Sequence, residues 1–347
     1  MTADALAHAI VLALGLACVA LFFRSIIIAV FLDRPRHDVI ALAAAWLTRV
    51  AFEVFLPRRA SQARIDRALL WYWPVAQFVT IYTWYTLVAV GFGAVNWGSY
   101  ASPDPIQALV ASGSALSTVG FDTPTNVHGQ IIAVVEGGIG LFLVVFLLTF
   151  LPGYLTARQE RGDHVAGIYA RAGTPPTGDG LMAWHYRSGG GAADFELLFG
   201  IWERWMRDFG VSHSQSPGLA ITRSYRPAQY WVSAVMAMMD AAAIGKDVLE
   251  VRSAHAAIFL DAAQHALERV ATAIRPRPSA PPPGSRAAFD AACDALAAAG
   301  APVRRDREAA WRAFCETQAV YASLLASLAA RIRIGPGDWQ LTARPRA

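Results

Sequence analysis

The sequence predicts an all-α membrane protein with an additional α-helical domain outside the membrane. The chain of 347 residues is 55% hydrophobic and only 16% charged, and its mean hydropathy is +0.35. Membrane proteins with a sizeable soluble portion have this composition. Several apolar stretches in the first half are long enough to cross a bilayer. The second half repeats apolar residues at helical spacing and contains no clear strand pattern.

The chain begins with a long apolar helix. Residues 7–23 are hydrophobic apart from His8, and after Arg24 the apolar sequence continues to Leu32. No positively charged segment precedes it, so we expect a retained span, with a cleavable signal peptide as the alternative. Arginines then accumulate over residues 33–67, and the positive-inside rule predicts that this stretch is cytoplasmic and the amino terminus outside. The arginines that carry this prediction are Arg34, Arg36, Arg58, Arg59, Arg64 and Arg67.

Residues 39–56 are apolar but contain Arg49 and Glu53 at i,i+4 spacing, and two placements are open. As an interfacial helix, the segment would lie flat on the inner leaflet and keep both flanking arginine groups in the cytoplasm. As a fourth span, it would put the first arginine pair outside, which the charge rule disfavours. We favour the interfacial helix, so that residues 1–68 hold an N-terminal span and an interfacial helix.

Residues 69–156 are predicted to form one domain of span, short helix, loop and span. The first span covers residues 69–95 and has aromatic residues at both ends, as expected at the level of the headgroups. Pro74 would set its start or a kink. Asp104 and Pro105 are typical of the N-cap and the first position of a helix.

The helix that follows, residues 106–116, is too short to cross the membrane. The second span covers residues 128–151, and Pro152 with Gly153 is predicted to end it before the cytoplasmic arginines. The short helix and its loop therefore enter the membrane from outside.

Between the two spans lies the sequence Ser-Gly-Ser-Ala-Leu-Ser-Thr-Val-Gly-Phe-Asp-Thr-Pro, residues 112–124. Its core, residues 118–121, predicts an ion filter. An ion that leaves water needs replacement oxygens, and an extended run can aim successive backbone carbonyls at a central axis. Gly120 permits the unusual backbone angles that such a run requires. Non-helical backbone at membrane depth must be surrounded by protein or water, so a single loop predicts a cavity shared among copies.

This order of span, short helix, Thr-Val-Gly-Phe and span resembles the pore-loop potassium channel family over about residues 69–155, most strongly at residues 117–121. The resemblance implies a homotetramer that conducts K⁺ passively, with no cofactor or metal beyond the permeant ion. It also implies a lining of the inner pore by the last span. The implied filter carbonyls are those of Thr118, Val119, Gly120 and Phe121, with the Thr118 hydroxyl as an additional ligand.

The last span contains Gly137, Gly138 and Gly140. The resemblance implies a glycine hinge that opens the gate, with Gly140 as the favoured position and Gly137 as the next. Alternatively, the small residues permit close helix packing. Glu136 is an ionisable group in a membrane helix, so it is either a functional residue or a hydrogen-bonding partner behind the filter of its own subunit.

The filter departs from the family pattern Thr-Val-Gly-Tyr-Gly-Asp, because Asp122, Thr123 and Pro124 follow Phe121 and the second glycine is absent. Aspartate tolerates left-handed angles, so Asp122 would take the place of that glycine. Four such carboxylates at an outer mouth would concentrate cations, including divalent ones. Alternatively, Asp122 matches the family's aspartate after the filter and hydrogen-bonds to the pore helix.

A second resemblance concerns the same loop. Residues 117–123 are similar to the single-glycine filters of Trk-type potassium transporters, which have four non-identical pore repeats in one chain. This chain has one such repeat, so the similarity also implies a homotetramer.

Residues 157–347 are predicted to form a helical domain. It loosely resembles the C-terminal domain of some bacterial one-pore channel proteins, which implies a bacterial-type inner or plasma membrane with this domain in the cytoplasm. A loop is expected at 174–191 and a proline-rich linker at 275–285. Helices are expected at 194–209, 228–244, 248–274, 286–298 and 304–334.

Composition and motifs argue against other classes of function. The net charge of +4 is explained by arginines that orient the spans, so we expect no nucleic acid partner. Phosphate loops, catalytic triads and metal-ligand spacings are not found, so we expect no enzyme. Cys18, Cys293 and Cys315 indicate neither a disulfide framework nor a zinc site. The expected partners are the bilayer and further copies of the chain; the sequence does not indicate a cytoplasmic regulator. The alternatives are a weakly selective cation channel with an acidic outer mouth, or a non-conducting membrane-anchored sensor or interaction protein.

Overall fold

The computed structural model describes residues 3–28, 38–55, 61–224, 226–251 and 253–343. Within these ranges the chain forms twelve α-helices and no strand, which confirms the all-α prediction. Leu249 and Val303 form an isolated bridge. Part of the arginine-rich stretch that was predicted to be cytoplasmic, including Arg34, Arg36 and residues 56–60, lies outside the described residues.

The helices are α1 (Ala3–Ile26), α2 (Val39–Phe55), α3 (Gln62–Gly98), α4 (Pro105–Leu116), α5 (Val127–Ala172), α6 (Gly178–Arg187), α7 (Ala192–Gln215), α8 (Pro217–Ile221), α9 (Trp231–Asp247), α10 (Ala254–Ile274), α11 (Arg286–Ala298) and α12 (Arg307–Arg331).

Three helices, α1, α3 and α5, are long and apolar enough to cross a membrane. In the most apolar stretch of α1 only 11% of the residues are buried, as expected of a surface that faces lipid. These helices support a membrane-embedded protein. Helix α2 has 17 residues and is a shorter apolar helix, so its interfacial placement and its placement as a fourth span both stay open.

The chain divides into two compact units. The first unit contains Met1–Phe55 and Pro74–Leu155, and the second contains Leu56–Trp73 and Thr156–Ala347. The boundaries predicted from the sequence lie instead after residues 68 and 156. The difference at residue 73 arises because α3 begins at Gln62, so its first turns extend beyond the predicted span and belong to the second unit.

In the first unit a small apolar core joins α1, α3, α4 and α5. Its buried members are Phe22, Ile26, Trp84, Val88, Phe92, Leu116, Ile139 and Leu143. Leu116 is the last residue of α4, so this core fixes the end of the short helix from which the loop departs.

Two corrections concern prolines. Pro152 lies inside α5, which continues to Ala172, so the predicted end of the span at Pro152 and Gly153 is wrong. Pro74 lies inside α3, so it does not set the start of this helix, and the alternative of a kink at Pro74 stays a prediction. A proline removes one helical N–H and favours a kink, but a long helix tolerates this loss where neighbouring groups satisfy the freed carbonyl.

A third correction concerns the predicted loop at residues 174–191, which contains α6. Thr177 caps this helix, because its side chain accepts a hydrogen bond from the N–H of Gly180 at 3.2 Å. The glycine and proline content of the stretch concealed a short helix whose start signal is a single threonine.

The second unit is built around α9. Nearly every residue of α9 is buried, including the three methionines of its centre. Helices α6, α10 and α12 pack against it. The buried Asp240 of α9 accepts hydrogen bonds from the Tyr321 hydroxyl at 2.6 Å and from Gln318 Nε2 at 3.1 Å. Burial raises the pKa of Asp240 to about 6.

Candidate ion filter

Helix α4 carries the candidate filter at its C-terminal end. Asp104 is the N-cap, and its carboxylate accepts hydrogen bonds from the N–H groups of Ile106 and Gln107 at 3.0 and 2.9 Å. Pro105 follows at the first helical position, where its missing N–H costs nothing. The 12 residues of α4 span about 18 Å, less than the hydrocarbon thickness of about 30 Å. The predicted short helix is therefore confirmed.

Two residues of the loop after α4, separated by Val119, have left-handed backbone conformations. Thr118 has a φ of 57° and Gly120 a φ of +70°, both in the left-handed region. Gly120 is the glycine for which the sequence predicted such angles. Thr118 was not expected there, because a β-branched residue rarely adopts positive φ.

The amides of this loop turn back to α4. The N–H of Thr118 donates to the carbonyl oxygen of Ala115 at 3.0 Å. Those of Val119 and Gly120 donate to the carbonyl oxygen of Ser114 at 3.2 and 3.3 Å. The acceptors belong to the last turn of the helix, where carbonyls have no intrahelical partner.

The direction of the amides fixes the direction of the carbonyls. In a planar trans peptide the C=O points opposite to the N–H of the next residue. The carbonyls of Ser117, Thr118 and Val119 therefore point away from α4. The same argument applies to Phe121, since the N–H of Asp122 donates to the Ser114 hydroxyl at 3.0 Å.

The role of residues 118–121 as filter ligands stays a prediction, and the hydrogen bonds give only the direction of their carbonyls. Three of the four implied carbonyls, those of Thr118, Val119 and Phe121, belong to the set that points away from α4. Among the described residues, no hydrogen bond from the N–H of Phe121 orients the carbonyl of Gly120. The carbonyl of Ser117 also points away from α4, although the sequence did not predict it as a filter ligand.

The loop is open in a single copy of the chain. Val119 and Phe121 are 67% and 70% exposed. Large apolar side chains with this exposure are typical of surfaces that meet lipid or another protein. One copy of the loop therefore does not surround an ion.

The hypothesis that Asp122 takes the place of a left-handed glycine is wrong. Asp122 is not among the described residues with positive φ. The alternative, a hydrogen bond to the short helix, is found, although the backbone N–H of Asp122 makes it and not the carboxylate. Ser114, in the last turn of α4, thus holds the end of the loop through its hydroxyl.

Gly137 and Gly140 of α5 face the end of α4. A Cβ built on Gly140 would lie 1.9 Å from the carbonyl oxygen of Leu116, far closer than any real contact. A Cβ on Gly137 would lie 3.4 Å from the carbonyl oxygen of Ala115, which is ordinary contact, and Gly138 has open space around it. Close packing of α5 on α4 therefore requires Gly140, and its role as a hinge stays a prediction.

Glu136 lies behind the short helix, in the second of the two positions that the sequence left open. It is fully buried, and its Oε1 contacts the hydroxyl of Ser112 on α4. That hydroxyl also lies 2.7 Å from the carbonyl oxygen of Ala89 on α3. Ser112 and Glu136 thus connect three helices of the first unit.

Backbone oxygens are the ligands that this loop offers to an ion. No group of three or more His, Cys, Asp or Glu side chains among the described residues is arranged to hold a metal ion. The C-terminal end of α4 adds the partial negative charge of a helix dipole, which favours a cation.

Comparison of the chain with protein families, with curated proteins and with solved structures finds no match.

Proposed function

We propose that the chain is one subunit of a homotetrameric potassium channel that conducts K⁺ passively through the backbone carbonyls of residues 118–121. One observation carries this proposal: the loop turns its amides to α4 and at least three of these carbonyls away from it. Carbonyl oxygens in a ring replace the hydration shell of an alkali cation.

The need for several copies follows from the open loop. A single strand presents its oxygens from one side, whereas a dehydrated ion needs them all around. Four copies around an axis would cover Val119 and Phe121 and surround the ion at the same time. Four α4 C-termini would then direct their dipoles at the same cavity.

The three apolar helices support a bilayer as the surroundings of this assembly. The arginine bias puts the amino terminus outside and the second unit in the cytoplasm. Helix α5 begins in the first unit and ends in the second. This continuity supports a role of the second unit in assembly or gating.

Rubidium uptake tests the proposal. Purified protein in liposomes loaded with KCl should accumulate ⁸⁶Rb⁺ from a potassium-free medium, and liposomes loaded with NaCl should not. Uptake that is absent in both, together with a monomeric mass in detergent, would contradict the proposal and favour a membrane-anchored sensor or interaction protein.

A weakly selective cation channel with an acidic mouth is the second candidate. It is favoured by the backbone of Asp122, which lacks the left-handed angle of a second filter glycine. Reversal potentials in K⁺, Na⁺ and Ca²⁺ gradients separate the two candidates. In a weakly selective channel the three potentials lie close together and Asp122→Asn shifts them strongly, whereas in a potassium channel the K⁺ potential stands apart and shifts little.

A further inference from the structure

Ser114 of α4 receives most of the hydrogen bonds that the loop makes. It is fully buried. Its carbonyl oxygen accepts from the N–H groups of Val119 and Gly120, and from the hydroxyl of Ser117 at 3.2 Å. Its own hydroxyl accepts from the N–H of Asp122 at 3.0 Å.

The two acceptors of Ser114 differ in what they require of the residue. The carbonyl is one of the last four of α4, and any amino acid at this position would offer it. The hydroxyl acceptor is specific to serine or threonine. Substitution of Ser114 by a residue without a hydroxyl therefore removes the contact with Asp122 and leaves the contacts with Val119 and Gly120 in place.

The hydroxyl contact acts where the loop lacks its second glycine. Thr118 and Gly120 are the left-handed residues of this loop, and the chain from Phe121 to Pro124 has none. Backbone angles alone thus do not turn the carbonyl of Phe121 away from α4. The hydrogen bond from Asp122 does so, because it fixes the peptide plane that carries the carbonyl of Phe121.

We propose that Ser114 is the positioning residue of the outer ion site: its hydroxyl orients the carbonyl of Phe121 and thereby sets the discrimination between K⁺ and Na⁺. The inference rests on the proposed channel function and deepens it. Selectivity depends on the size of the cage and on the number of carbonyl dipoles that face the ion. Rotation of the outermost carbonyl changes both.

The test compares substitutions of two buried serines on the same helix. Ser114→Ala should lower the permeability ratio of K⁺ to Na⁺ about tenfold, the factor that one lost buried hydrogen bond yields. Ser114→Thr keeps an acceptor and should restore the ratio. Ser112→Ala removes a buried hydroxyl that does not contact the loop, so it should leave the ratio unchanged even where it lowers thermal stability.

The outcomes separate this inference from the channel proposal. Wild-type protein without cation flux would overturn both. Selective wild-type protein with an unchanged ratio in Ser114→Ala would overturn the role of Ser114 alone. If Ser114→Ala does not assemble, Ser114→Cys decides, because sulfur is a weak acceptor of nearly the same shape. An intermediate ratio supports the inference, and a wild-type ratio overturns it.

Discussion

Backbone conformation at single residues determines where the loop can direct its oxygens. Gly120 has a φ of +70° and open space around its α-carbon, because a Cβ built there meets nothing within 4 Å. The penalty of a side chain at this position is therefore conformational and not steric. Left-handed angles destabilise a residue with a Cβ by about 1–2 kcal/mol. In the proposed tetramer this penalty would apply to each of the four copies.

Gly120→Ala should abolish or strongly reduce rubidium uptake while the oligomer stays intact. The alanine would pull the backbone toward negative φ and rotate the neighbouring carbonyls. Gly113→Ala is the matched control, since Gly113 also has open space but no positive φ. Uptake by Gly120→Ala at the rate of the control would contradict the role of this glycine.

His213 is a second residue whose surroundings fix its chemistry. Its ring is buried in the second unit and stacks on Phe209, with the ring centroids 3.9 Å apart. Arg161 Nη1 lies 3.4 Å from Nε2, and the Ser212 hydroxyl lies 3.0 Å from Nδ1. A guanidinium only donates, so Nε2 accepts and Nδ1 carries the proton. Burial, and next the charge of Arg161, lower the pKa of His213 well below its ordinary value.

This lowered pKa predicts a loss of stability in acid. The unfolded chain binds a proton at His213 below about pH 6.5 and the folded chain does not, so the stabilisation is complete above that pH and lost below it. Relative to His213→Phe, the wild type should lose about 1.4 kcal/mol per pH unit below 6.5. Thermal unfolding of both proteins between pH 7.5 and 5 measures this.

The comparison with His213→Phe is needed because Asp240 acts in the opposite direction. Burial raises its pKa from 3.8 to about 6, so the folded chain holds that proton more tightly and its contribution to stability falls as the pH rises. Both proteins contain Asp240, and the difference between them isolates His213. Parallel curves for the two proteins would contradict the prediction.

At the scale of helices, the contact between α5 and the end of α4 joins the inner helix to the loop. Gly140 allows this contact, and the carbonyl of Leu116 occupies the space where a side chain would stand. A shift of α5 at Gly140 would therefore displace Leu116, the residue after which the loop begins. The contact shows close helix packing, and a movement of α5 that opens a gate stays a prediction.

Gly140→Ala should separate α5 from α4 and lower the yield of assembled protein, because the clash is with backbone and cannot relax by a side-chain rotation. Gly137→Ala should assemble normally, since its new Cβ meets only an ordinary contact. Size-exclusion chromatography in detergent compares the two. Normal assembly of Gly140→Ala would show that the close approach is not required.

The first turns of α3 are held within the second unit by an ion pair. Asp66 Oδ1 accepts from Arg223 Nε at 2.7 Å and from Gln62 Nε2 at 3.0 Å, and its Oδ2 accepts from the Tyr230 hydroxyl at 2.7 Å. Arg223 is only 5% exposed. A buried cation of this kind depends on its carboxylate.

Asp66→Leu should destabilise the second unit by about 3 kcal/mol, because it leaves the charge of Arg223 buried and unpaired. Residues 62–73 should then exchange their amide hydrogens faster. Addition of Arg223→Met removes the charge and should restore most of the protection. Hydrogen exchange measures both variants, and unchanged exchange in Asp66→Leu would contradict the importance of the ion pair.

Features that depend on neighbours in the sequence could be predicted, and features that depend on distant contacts could not. Helix α4 was predicted to within one residue because Asp104 and Pro105 are local start signals. The predicted end of the second span at Pro152 was wrong, because α5 continues through this proline in spite of the local preference of proline for helix ends. Ser114 was missed because its hydroxyl meets Asp122 only after the loop has turned; a serine in the last turn of a short helix is the only signal the sequence offers.

At the scale of the whole molecule, the proposed channel depends on more than one copy of the chain, because the loop of a single copy is open. Both units contain a hydrophobic core of their own. The filter proposed for residues 118–121 exists only in the assembly. The number of copies is thus the property on which ion conduction depends.

Native mass spectrometry of the detergent-solubilised protein measures this number directly. We expect four copies of the 37.4 kDa chain, and the same number for Gly120→Ala, whose defect lies in the filter. A single copy, or any number other than four, would contradict a ring of carbonyls supplied equally by four subunits.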